Sequence, residues 1–103
     1  MHEIYEGFHI DIGVNRSENI RILQNSRGKD IWIHLTEFPS PHAIIKNEGS
    51  IIPLKVIKYA CGLVKRQSKR NQKVRFDIAY RKDIEHVGHA FVKVNHIIKE
   101  IRM

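Results

Sequence analysis

Apolar and polar residues alternate along Phe8-His9-Ile10-Asp11-Ile12, a period of two that marks a half-buried strand, here ending at Gly13. Residues 15–19 are polar and read as a turn, and residues 20–23 read as a short second strand. Ser26-Arg27-Gly28-Lys29 forms another turn signal. Alternation then returns over residues 30–35, sending Ile31, Ile33 and Leu35 to one side and Asp30, Trp32 and His34 to the other. Pro39 and Pro41 bound a turn, a strand follows over residues 42–46, and residues 47–50 end it. A turn centred on Phe38 sets Asp30 opposite Lys46, Trp32 opposite Ile44 and His34 opposite His42. In that register Ile31, Ile33, Leu35, Ala43 and Ile45 share the core face.

The period changes after Pro53, a residue suited to the first turn of a helix because its missing N–H is not needed there. Val56, Ile57, Ala60, Cys61, Leu63 and Val64 fall on one side of that helix. Lys55, Lys58, Lys65, Arg66, Lys69 and Arg70 fall within an arc of roughly 140° on the other. Lys73 and Arg75 carry the charge into the next element. Alternation resumes over residues 74–78, 90–94 and 97–101, with Asn95-His96 as a hairpin turn between the last two. The order predicts a single α+β domain over residues 1–103: a curved antiparallel sheet packed against one long amphipathic basic helix.

Composition narrows the function classes. A chain of 103 residues buries only roughly 60–65% of its unfolded surface, which leaves little room for a deep active site. The single Cys61 cannot form an internal disulfide and fits a reducing compartment. The opening Met-His-Glu-Ile-Tyr-Glu does not read as a signal peptide, so none is expected, and no apolar run approaches the ~18–20 residues that span a bilayer. A cytoplasmic location is the expectation. The net charge is +7, and its placement is uneven. Residues 49–76 hold eight Lys or Arg and no acid, whereas residues 1–48 hold five against seven acids and residues 77–103 five against four. Surface charge that serves only solubility interleaves both signs. A polyanionic partner is therefore expected, and charge alone does not separate RNA from DNA. The opposite helix face is needed for the core, which argues against a membrane partner.

Trp32, His34 and His42 are the candidate chemistry of the strand–turn stretch, with Lys46 beside them. Two readings stand. The ring and imidazoles could stack on an unpaired base and bond a phosphate or 2′-hydroxyl, or a covering segment could bury Trp32 while the histidines hold the turn. A metal site is not expected: zinc needs three or four ligands, Cys61 lies on the apolar helix face, and His86 and His89 flank a Val87-Gly88 turn signal. No cofactor is expected either. Acid–base cleavage of a phosphodiester by His34 and His42, with Lys46 steadying charge, makes a metal-independent nuclease a minor alternative. No catalytic triad, carboxylate pair or phosphate loop accompanies them, so the chain is not expected to be an enzyme.

The residues Asp30, Trp32 and His34, followed by Pro39 and His42, resemble the signature of the NFACT RNA-binding domain (NFACT-R). Upstream, Gly7-Phe8, then Gly13, Asn15 and Asn19, resemble the opening of that family. The pattern departs at Val14, Ile20 and Ser40-Pro41, where the family commonly has Arg, Asp and Gly-Ser. The resemblance spans nearly the whole chain. It implies binding rather than turnover, with tRNA or rRNA as partner in a translation or ribosome quality-control setting. On that reading Lys46, Lys55, Lys58, Lys65, Arg66, Lys69, Arg70 and Lys73 attract phosphates, while Trp32, His34 and His42 make the shape-sensitive contact. The alternatives are a DNA-binding module and a protein-docking domain in which the basic face meets an acidic partner and Trp32 anchors the interface.

Overall fold

The computed structural model describes residues 1–88 and 91–103. The chain opens with β1 (His2–Tyr5) and β2 (Phe8–Ile12), an antiparallel pair joined through Glu6-Gly7. Both linking residues have positive φ, 52° and 82°, the backbone that matches the twist of a two-residue hairpin. Alternation alone gave no sign of β1.

The polar turn and short strand expected over residues 15–23 are instead a helix, α1 (Arg16–Gln24). Its cause is local. The Asn15 side chain accepts the Glu18 backbone N–H at 2.9 Å, and the Glu18 carboxylate accepts the Val14 N–H at 3.2 Å. One orphan donor of the first turn is thus capped, and the Glu18 carboxylate reaches back to hold the residue before the cap. Ile22 and Leu23 are the residues this helix buries.

β3 (Ile31–Leu35) and β4 (Ala43–Ile45) follow. Their register is the one the pattern predicts, with Ile31 facing Ile45, Trp32 facing Ile44 and Ile33 facing Ala43. α2 (Leu54–Gln67) starts after Pro53, whose carbonyl accepts the N–H groups of Val56 and Ile57. It ends at Ser68, and Lys69 then takes a left-handed φ of 60° that turns the chain away. This helix has 14 residues. The helix expected after Pro53 is thus shorter than the basic stretch and is not the only one, since α1 is a second, and Lys69 and Arg70 lie beyond the helical arc assigned to them.

β5 (Arg75–Tyr80), β6 (Ile84–His86), β7 (Val92–Val94) and β8 (Lys99–Arg102) complete the described strands, with a single 3-10 turn at Arg81–Asp83 between β5 and β6. Six strands form one antiparallel sheet ordered β1-β2-β4-β3-β5-β8, and β6 pairs with β7 in a separate ladder. Asn95-His96 is therefore not a hairpin turn. β7 belongs to β6, β8 returns to pair with β5, and the Asn95 N–H is held by the Asp83 carbonyl at 2.8 Å. Ala90, the first residue of the expected strand over 90–94, lies outside the described residues.

The sheet is covered on both faces. On one, Val56, Ala60, Cys61 and Val64 of α2 pack with Ile31, Ile33, Leu35, Ala43 and Ile45. On the other, Ile22 and Leu23 of α1 and Ile84 of β6 pack with Trp32, Ile44 and Ala79. Burial pushes the Cys61 thiol up to about 12, so it is a packing residue rather than a nucleophile. Among the described residues, no helix is long and apolar enough to cross a membrane.

Candidate nucleic-acid interface

Trp32 is 2% exposed. The face it shares with Asp30 and His34 is not a solvent face, because α1 and the β6–β7 hairpin lie over it. The ring therefore offers no surface for base stacking, and the covered reading of Trp32 is the one the structure takes. Its indole N–H donates to His42 Nδ1 at 3.3 Å. His34 stacks on the indole with centroids 5.6 Å apart and planes within 9°. His42 meets both rings edge-on.

That contact fixes a tautomer. An indole N–H can only donate, so His42 Nδ1 must be unprotonated and the neutral ring carries its proton on Nε2. Burial, reinforced by the neighbouring His34, drives the His42 pKa down to about 3. Burial also lowers His34, against opposing contributions from the Leu35 backbone and the Asp77 carboxylate. At neutral pH this pair supplies uncharged hydrogen-bonding groups rather than cations.

The remaining signature residues hold the scaffold together. The Asn19 Oδ1 accepts the His42 backbone N–H at 2.9 Å, which ties α1 to the start of β4. Gly13 is required at this crossing, since a Cβ there would fall 2.2 Å from Asn19 Oδ1 and 2.7 Å from its backbone nitrogen. Asp30 is buried and accepts the backbone N–H groups of Arg27 and Asn47 at 3.1 and 2.8 Å. Lys46 sits 3.7 Å from that carboxylate and donates to the Asn25 carbonyl, so it closes a loop crossing. Gly7 serves the first hairpin and Asn15 caps α1. Pro39 is exposed in the β3–β4 turn.

The basic residues divide differently. Lys58 and Arg66 are exposed on α2. Lys55 is exposed too, 3.5 Å from the Glu6 carboxylate of the first hairpin. Lys65 is half-buried, its Nζ donating to the Met103 carbonyl at 3.2 Å. Beyond the helix, Lys69 and Lys73 are exposed. The Arg70 guanidinium lies 3.7 Å over the Phe38 ring, close enough for a cation–π contact. The α2 face and the Trp32–His34–His42 cluster are on opposite sides of the sheet. The β3–β4 turn connects them, with Phe38 beneath Arg70 and Pro39 on the histidine side.

On that second side is a cleft of about 370 Å³ lined by His34, His42, Asn19, Pro39 and Ser40 together with Arg16 and Phe91. The last two were not singled out by the sequence. The Asn15-x-x-Glu18 capping pattern is the signal that would have placed Arg16 at a helix start, and nothing in the pattern marks Phe91. His86 is exposed on β6, and His89 lies outside the described residues. Among the described residues, no three His, Cys, Asp or Glu side chains converge as a metal site.

No family model matches the chain, and no curated protein matches it. Among solved structures it is similar to the C-terminal part of the fibronectin/fibrinogen-binding protein from Streptococcus suis, with a TM-score of 0.82 at 19% identity. The likeness covers 98% of this chain and 44% of that one, so the chain spans less than half its length. At this identity the likeness establishes the fold.

Proposed function

We propose that the chain is an NFACT-R-like RNA-binding domain that engages tRNA or rRNA in a translation or ribosome quality-control setting in the cytoplasm, by binding rather than turnover. The observation that carries this reading is the exposed run of cations from Lys58 and Arg66 on α2 to Lys69 and Lys73 beyond it. The window 49–76 contains no acid, and among the described residues only Lys55 and Arg75 of its cations lie within ion-pair distance of an acidic side chain, Glu6 for the first and Glu37 and Glu100 for the second. Like charges crowded on one surface repel, and a phosphate backbone relieves that repulsion while releasing its own counterions. The resemblance of residues 7–42 to NFACT-R points to RNA among the polyanions. The burial of Trp32 removes it from the contact set and shifts the reading toward the helix face.

Binding measured against single-stranded RNA, folded tRNA and duplex DNA across a salt series tests this. With about five phosphate contacts on single-stranded RNA, log K is expected to fall against log salt with a slope near −3.5. A flat salt response overturns the reading, and a preference for the DNA duplex replaces RNA with DNA. One observation favours a second reading. The S. suis protein that shares this fold is described as binding fibronectin and fibrinogen, so docking to an acidic protein surface is the competing function. Capture of immobilised fibronectin or fibrinogen by a chain that ignores tRNA would establish it.

A further inference from the structure

We infer that the cleft between α1, the β3–β4 turn and the β6–β7 hairpin receives one unpaired nucleotide of an RNA strand, with its base against Phe91 and its phosphate toward Arg16. This rests on the RNA-binding reading and gives that reading a second contact, on the face of the sheet away from α2.

The hydrogen-bonding groups of the cleft are mainly donors, and the neutral His34 ring adds one acceptor nitrogen. His42 is 5% exposed, and its Nδ1 is taken by the Trp32 indole, so Nε2–H is the donor it has left. Asn19 has committed its Oδ1 to the His42 backbone, which leaves the amide NH2 as its remaining group. The Ser40 hydroxyl is spent locally, accepting from the Leu35 N–H and donating to the Pro41 carbonyl. Arg16 adds a guanidinium at the first residue of α1. No acidic side chain lines the cleft among the described residues. Such a site selects a ligand rich in acceptors, and base carbonyls and phosphate oxygens are that.

The apolar part selects a flat ring. Phe91 is 67% exposed beside these donors, a large apolar face of the kind on which unpaired bases stack. The cleft's volume of about 370 Å³ is at the small end of ligand sites, which run from roughly 300 to 1,000 Å³. It suits one nucleotide rather than a helix. A base inside a duplex is stacked on both faces and cannot enter, so the site distinguishes single strands from duplexes. The low pKa of His42 supports the assignment, because its donor stays neutral throughout the physiological range. A strand leaving the cleft passes Pro39 and reaches Arg70 over Phe38, which leads to the basic end of α2.

Phe91→Ala is the informative variant, since an exposed ring can be removed without opening the core. Its affinity, and that of Lys58→Ala/Arg66→Ala, is to be measured by anisotropy against oligouridine, an abasic ribose-phosphate strand of equal length, and an RNA duplex. Phe91→Ala is expected to weaken oligouridine binding about tenfold, with an unchanged salt slope and no change on the abasic strand. Uridine monophosphate is expected to shift the imidazole NMR signals of His34 and His42. If Phe91→Ala binds oligouridine as the parent does while the helix variant loses it, the cleft assignment falls and the RNA reading stands. An equal loss on the abasic strand or the duplex also overturns the cleft. If the parent binds no RNA at all, both fall together.

Discussion

His42 concentrates the residue-scale physics. It accepts from an indole, lends its backbone N–H to Asn19 and stays uncharged because it is buried. An unfolded histidine titrates near 6.5, whereas His42 in the fold titrates near 3. Between those values the unfolded chain binds the extra proton, so stability rises with pH. The contribution is complete above about pH 6.5 and is lost as pH falls toward 3, at about 1.4 kcal/mol per unit in the steep region. His34, lowered in the same direction, adds to the slope. Urea midpoints are therefore expected to fall steadily as the pH is brought down from about 6 to about 4. A midpoint constant over that range would show that the histidines are solvated. At this scale the sequence revealed the side of the strand on which Trp32 and His34 stand, since alternation fixes it. It did not reveal what covers them, because the covering residues Ile22, Leu23 and Ile84 come from elements that alternation misread or passed over.

Among the elements, the two helices show when a local signal is enough. α2 is legible because its apolar positions recur at helical spacing over fourteen residues and its start is marked by Pro53. α1 has a less distinct pattern, with Ile20, Ile22 and Leu23 fitting a strand as well as a helix. Its capping pair, Asn15 and Glu18, decides the matter. The β7 and β8 pairing is different again, since no local residue encodes which distant partner a short strand chooses. Glycines within these elements are separable by what surrounds them. A Cβ at Gly62, inside α2, would meet nothing within 4 Å. Gly62→Ala is thus expected to stabilise the domain by about 0.5–1 kcal/mol through helix propensity. Gly13→Ala should act in the opposite sense, because Asn19 occupies the space. Thermal melts of the two variants check the pair, and a shift in the same direction for both would contradict this account.

For the whole molecule, the decisive fact is that the basic helix and the histidine cleft lie on opposite faces of one sheet, in a body of 30 × 30 × 24 Å. The concentration of cations in residues 49–76 was legible from the sequence by counting. Their separation from the signature stretch was not, because it depends on which face of the sheet each helix covers. A ligand that uses both places must cross the β3–β4 turn. A strand long enough to do so gains the second contact intramolecularly, at high effective concentration. Oligouridines of increasing length are therefore expected to show a step in affinity at the length that reaches from α2 to Phe91, and Phe91→Ala should remove the step. A smooth rise with chain charge, unaffected by that variant, would mean that α2 acts alone.

Because β3 is enclosed by α2 on one side and by α1 and the β6–β7 hairpin on the other, its residues have almost no freedom to respond to a partner. The stretch from Asp30 to His42 is for the most part a joint of the architecture, and a chain could retain it intact while the outer surfaces are rewritten for another ligand. Proteins that share this stretch should therefore be grouped by construction first, and their ligands sought in what differs among them: the cations on α2 and the side chains around Phe91.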